Sequence, residues 1–319
     1  MKSFQIISIL ICLVFGSFLA AQIQERSQKR PLIRAKRPVF DKKKWNGIFF
    51  EDLFSEGLSG NRPEKSEMTA AKDRPMNSGE GAEAIEKQAG WVGVIDSSTL
   101  ENEIKRWQQQ LAEQVTTPIK FKTTHQEISE QFSMLAMWFT VIGQYEGEVR
   151  WNEAADSARY AFMDSATRSR ATDISAFNSV KQRTEDLTEL VRGGKFPAEP
   201  NASSEVEDWS VIVDRNPIMS RLELSVSEEL KQATASEKDF KSQLDIVTHE
   251  AGVIAAMSRV LQLPEMLDAD DDDYNAISEE MLVAALEMKA AAEAKNLEGV
   301  NSALNRINQA CTNCHGDYR

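Results

Sequence analysis

The last apolar stripe of the chain constrains its fold more than any other feature. Leu297, Val300, Leu304 and Ile307 recur at three- and four-residue steps, and Cys311 and Cys314 continue that series in register. An α-helix returns to the same face every 3.6 residues, so both thiols fall on the side that turns toward a core. His315 follows directly, and four residues, Gly316-Asp317-Tyr318-Arg319, come after it. The spacing predicts a C-terminal helix that packs against partners and holds two sulfurs and an imidazole between itself and them.

Cys311-Thr312-Asn313-Cys314-His315 has the pattern of a haem attachment site. Two intervening residues put both sulfurs on one side of a helical turn, about as far apart as the two vinyl groups of a haem, and the adjacent imidazole reaches the iron from the same side. A redox dithiol would want a βαβ context, which the sequence lacks. A zinc site would want two further ligands, and only His125 and His249 are left. The third cysteine, Cys12, lies in an N-terminal apolar run, so a disulfide framework is excluded from the rest of the chain. One covalently attached haem c is therefore expected, with His315 as axial ligand. With so little chain after His315, any ligand on the opposite face is expected from an upstream helix.

Residues 1–21 read as an export signal: Lys2, an apolar run from Ile6 to Phe15, then small residues at Ala20 and Ala21. Residues 22–96 read as a basic, then polar, largely disordered lead. It is interrupted by an aromatic cluster at 45–54, Trp45 to Phe54, read as a docking or membrane-surface segment. From about residue 97 helical periods take over. Leu100, Ile104, Trp107 and Leu111 form one stripe; Ile128, Phe132, Leu135 and Phe139 a second; Trp151, Ala155, Ala158 and Phe162 a third; Ile174, Phe177, Val180 and Leu187 a fourth, which Gly193-Gly194 ends. A polar linker at 195–208 follows.

A second set opens at Asn216-Pro217, read as cap and first-turn proline. Its stripes run through Met219, Leu222, Val226 and Leu230, then from Phe240 to Leu261, then from Tyr274 to Ala291, and end on the cysteine-bearing helix. No strand pattern of useful length and no phosphate-binding glycine loop occur. The expected architecture is all-α: two tandem four-helix bundles, 97–194 without haem and 209–319 carrying it.

At this point the chain resembles a known family. The ending Ala310-Cys-Thr-Asn-Cys-His-Gly-Asp-Tyr-Arg319 is similar to that of the cytochrome c′ family of class II c-type cytochromes, over roughly 210–319. The resemblance implies a four-helix bundle of cytochrome c′ type. It also implies that an Arg-x-x-x-Met motif in its first helix, here Arg215 to Met219, sets Met219 over the distal haem face, with Pro217 standing where the family runs helix. Arg319 is implied beside the proximal imidazole. Up-down-up-down topology independently brings the start of the first helix next to the end of the fourth, so Met219 is expected near His315 as an iron ligand or as a bulky screen. His249 lies about three and a half turns, roughly 20 Å, short of the end of its helix and reads as packing, as does His125. Asp268 to Asp273 reads as acidic residues at a helix start.

Net charge is −13, although residues 21–44 hold nine Lys/Arg against Glu25 and Asp41. The remainder is strongly acidic, which argues against nucleic acid and for a basic redox partner. The expected function is a periplasmic mono-haem cytochrome in electron transfer or small-gas (NO or CO) binding, not an enzyme. The alternatives are a peroxidase-like or NO-detoxifying haem enzyme, and a docking protein whose haem serves a bound partner. Membrane association is expected only through an uncleaved signal or segment 45–54. The haem-less bundle is expected to stand in for the second copy of a dimer; the other option is a homodimer.

Overall fold

The structure, a computed structural model, describes residues 90–318 except Asn201 and Glu207. The export signal at 1–21, the lead up to residue 89 with its 45–54 segment, and Arg319 lie outside the described residues. The first set comprises α1 (Ser97–Gln114), α2 (Pro118–Gly143), α3 (Ala155–Arg168) and α4 (Ile174–Val191). The second comprises α5 (Arg215–Leu224), a π-helical turn (Ser225–Leu230) running on into α6 (Lys231–Ala233), then α7 (Glu237–Ser242), α8 (Leu244–Val260), α9 (Asp272–Glu293) and α10 (Leu297–Asp317). No strand occurs among the described residues.

Local chemistry accounts for most of the boundaries. Thr117 caps α2 by accepting a hydrogen bond from the Lys120 amide, with Pro118 at the first helical position, so this helix begins a full ten residues before the stripe that first revealed it. Asp173 caps α4 and Asp271 caps α9, each through two backbone N–H groups. Asn296 caps α10 through the Gly299 amide. Gly193 takes φ +97° just after α4, a left-handed stop that a side chain would oppose. The start of α5 differs from expectation: Asp214, in an extended conformation, precedes the helix, and Pro217 sits two residues inside it. The stripe from Phe240 to Leu261 is two helices, broken at Gln243, where the backbone leaves helical geometry.

In the first set each helix packs on its two neighbours, α1 against α4 included. In the second, α8 packs on α9 and α9 on α10, but α5 and α10 are not among the closely packed pairs. They stand on two sides of a cavity described below. The sets meet through α2 against α5 and α1 against α8. Composition explains why these helices are central. α2 is buried all round from Met134 to Ile142, and α8 from Glu250 to Met257, as expected of helices with a partner on every side. Polar linker residues also dock: the Phe196 ring meets Phe162 edge-on at 5.5 Å, and Arg183 pairs with Glu199 at 3.0 Å.

The seam between the sets is not wholly apolar. Arg221 of α5 is 1% exposed and lies between two carboxylates that are just as deeply buried. Its Nε and Nη2 donate to Glu103 of α1 at 3.1 and 2.8 Å, and its Nη1 and Nη2 donate to Glu250 of α8 at 2.8 and 3.0 Å. Ser225 Oγ donates to Glu250 Oε2 at 2.6 Å, and His249 Nε2 lies 3.0 Å from Glu103 Oε1. Arg106 of α1 adds a second cation, 3.0 Å from Glu229 and 3.6 Å from Glu250. Burial alone would raise the Glu103 carboxyl; Arg221 and His249 outweigh it and hold it well below the ordinary carboxylate range. Burial likewise opposes the Arg221 charge, and Glu103 and Glu250 overcome it. Glu103, Arg221 and Glu250 are thus each paired and hydrogen-bonded, the condition under which a buried charge persists in a core.

One cooperative thermal transition is expected, because the buried apolar residues of both sets form a single cluster. Phe162→Ala removes a fully buried ring that contacts Phe132 and Phe139 and should destabilise by about 3–5 kcal/mol. Calorimetry should show the whole transition moving down; two transitions with only one displaced would mean the sets unfold separately.

Candidate functional site

A cavity of about 510 Å³ opens between α5, the π turn, the end of α8, α9 and α10, within the ordinary size range of ligand sites, about 300–1,000 Å³. From α10 it receives Cys311, Cys314 and His315; from α5 it receives Met219 and Leu222. Val226, Leu261, Ile277 and Met281 complete an apolar wall, while Asn216, Ser220, Glu223 and Ser227 supply polar groups. The cysteines are free thiols, partly buried, and His315 beside them is exposed. Burial pushes both thiols above their ordinary range; at Cys314 the Arg215 guanidinium opposes that push. Four of the five residues singled out in the sequence therefore line one cavity, and the fifth, Arg319, lies outside the described residues. His125 is elsewhere, its Nδ1 3.1 Å from the Ser169 carbonyl, and His249 belongs to the seam between the sets.

The end of α10 is fastened by a set of contacts that sequence reasoning missed. Arg215 Nη1 donates to Asp268 Oδ2 at 2.6 Å, and Nη2 donates to the Tyr318 carbonyl at 3.2 Å. The Tyr318 hydroxyl donates to Asp271 Oδ1 at 2.8 Å, the same oxygen that caps α9, and the Tyr318 ring meets the Tyr274 ring edge-on at 5.2 Å. The acidic run 268–273 thus has two structural uses, one at the helix start and one as a counter-charge for Arg215. Among the described residues no group of three or more His, Cys, Asp or Glu is placed to hold a metal ion. The available signal was the pairing of Arg215 with a distant acidic run, which becomes visible only once α5 and the loop before α9 are known to meet.

The residues fit a c-type haem. Two sulfurs lie one helical turn apart on the cavity side of α10, the imidazole lies on the same rim, and the opposing wall is apolar except at its edge. A porphyrin plane is apolar with a polar propionate edge, and the cavity has the same division. Residues 264–319, the loop before α9 together with α9 and α10, match the family model described as Cytochrome C′. That family implies a c-type haem; Met219 and Arg215 fall outside the matched segment. No curated protein and no solved structure matches the chain.

The Tyr318–Asp271 hydrogen bond gives the site a measurable titration. It pushes the Tyr318 hydroxyl up to about 12 and holds the Asp271 carboxyl below its usual range. The folded chain keeps the phenolic proton more tightly than the unfolded one. The bond's contribution is therefore complete between the ordinary carboxylate range and pH 10, the ordinary phenol value; it is lost as pH rises through about 12 and, at the acid end, as the Asp271 carboxylate is protonated. An ultraviolet titration should find one phenol ionising near pH 12, and Asp271→Asn should bring it back toward 10; an unchanged titration in the variant would show that the bond is not formed in solution.

Proposed function

We propose that the chain is an exported mono-haem c-type cytochrome whose working part is the second helix set. The observation that carries this reading is the convergence of Cys311, Cys314, His315 and Met219, from the two ends of that set, on one cavity. Cys311 and Cys314 would hold the group through thioether bonds, and His315 would be its axial ligand. Once bound, the group would supply one-electron chemistry, and Met219, which lines the same cavity as His315, would decide how that chemistry is used. As a thioether ligand it would make the protein an electron carrier; as a bulky neighbour beside Leu222 and Val226 it would screen the group and favour a small uncharged gas such as NO or CO. Arg215 anchors the end of α10, so that the two sulfurs and the imidazole keep a fixed relation to the α5 wall.

A carrier or gas binder is favoured over an enzyme by the lining residues. Among the described residues, the side facing His315 offers Met219, Leu222 and Val226, with hydroxyl, amide and Glu223 groups at the edge and no second imidazole or guanidinium in the lining for acid–base work. The signal read at residues 1–21, and the thioether attachment proposed here, both support export to the periplasm. The acidic charge of the chain favours a basic redox partner.

Optical spectra of the purified ferric and ferrous protein, with and without CO, test the reading. A covalently bound haem that survives denaturation is expected, and Cys311→Ala/Cys314→Ala should abolish it; a wild-type protein without such a haem overturns the proposal. A low-spin spectrum indifferent to CO makes Met219 a ligand, and a high-spin spectrum makes it a screen. In either case Met219→Ala should strengthen CO binding by about tenfold, or about 1.4 kcal/mol.

A further inference from the structure

Arg221 and Ser225 are one turn apart on the seam face of α5, and Leu222 and Val226, each one residue further on, face the cavity. Between them the helix changes form: the α-helix ends at Leu224 and the π turn begins at Ser225. The Ser225 hydroxyl is the meeting point. It accepts from Arg221 Nη1 at 2.6 Å and shares its one proton between Glu250 at 2.6 Å and the Arg221 carbonyl at 3.1 Å. A serine that bonds back onto the turn before it loosens the regular ladder, and single π turns inside α-helices are frequent at functional sites. Here the π turn carries Val226 and Ser227, both lining the cavity.

Glu103 holds the other side of Arg221 and comes from α1. From these contacts we infer that Glu103, in the set without cysteines, is a positioning residue for the cavity wall in the set that has them. It fixes Arg221, Arg221 and Glu250 fix Ser225, and Ser225 sets the π turn that aims Val226 and Ser227. The haem-less set then shapes the face opposite His315 without contributing an atom to the cavity. Arg221 is held bidentate by each of two carboxylates from two different helices, so it has one allowed position, and a shift of α1 relative to α8 must be transmitted to α5. The ligand part of this inference rests on the proposed haem reading; the wall part does not.

Three variants of the full chain decide it. Glu103→Gln keeps the shape and removes one buried charge. Ser225→Ala cuts the link to the π turn and leaves the ion pairs in place. Leu187→Ala, in the core of α4, lowers stability without touching the network. Amide hydrogen exchange across 222–231, the ferric absorption spectrum and the CO affinity of the reduced protein are measured for each. Glu103→Gln and Ser225→Ala should speed exchange in that segment at least tenfold, shift the ferric spectrum and change CO affinity at least threefold, while Leu187→Ala lowers the melting temperature and moves none of the three. Exchange across 222–231 less than tenfold faster than wild type in either Glu103→Gln or Ser225→Ala overturns the inference, as do equal changes in Leu187→Ala. Should Glu103→Gln fail to fold, Glu103→Asp, which keeps the charge and shortens its reach, is judged by the same limits. Should the protein hold no haem, the function proposed above fails visibly in the spectrum, and the exchange rates still decide whether Glu103 sets the wall.

Discussion

Arg221 lies under two bidentate carboxylates drawn from different helices, and the rest of the molecule is arranged around that contact. A charge that deep is tolerated only when its counter-charges are close and every donor is used. Supplying them requires α1 to lie against α5 and α8, which in turn fixes how the first helix set meets the second. Apolar packing on either side of the seam, from Met134 to Ile142 on α2 and from Ala251 to Met257 on α8, supplies most of the stabilisation. Apolar packing is not directional, however. The ion cluster is, and it selects one register of the two sets over the near-equivalent ones that greasy surfaces alone would allow. Removing one partner would leave an uncompensated buried charge, typically about 3–5 kcal/mol.

The same geometry explains why the cavity lies where it does. In the first set the ring of helices is closed, α1 packing on α4. In the second, α5 is drawn toward the seam by Arg221, and the space it leaves beside α10 is the cavity. Bridging is confined to the end, where Arg215 reaches Asp268 and the Tyr318 carbonyl. One arginine of α5 therefore faces the other helix set and another closes the cavity's end, and Met219, between them, lines it.

Much of this was legible from periodicity. The eight stripes, the thiols in register on the last of them and the stop at Gly193 all follow from local rules that act within a turn or two. So does the proximity of Met219 to His315, which needs only antiparallel neighbours joined by short connections. What escaped notice depended on pairing between segments far apart in the chain. Glu103 falls within the stripe of Leu100, Ile104 and Trp107, and Arg221 falls beside Ile218 and Leu222. A charge on an apolar face, repeated with opposite sign on a second helix, was the available sign of a buried ion pair, but two opposite charges some 120 residues apart do not announce that they meet. The break at Gln243 was missed because apolar spacing continues across it. The early start of α2 was missed because Thr117-Pro118 lies ten residues ahead of the first strongly apolar turn.

The cavity walls come from five different elements, all anchored in a core that does not include the space itself. Met219 and Leu222 of α5, Val226 of the π turn and the two thiols of α10 thus reach one space from three elements that share that core. His315 is exposed at the rim and the two thiols are half-buried behind it, so the group is graded from solvent inward along a single helical turn of α10.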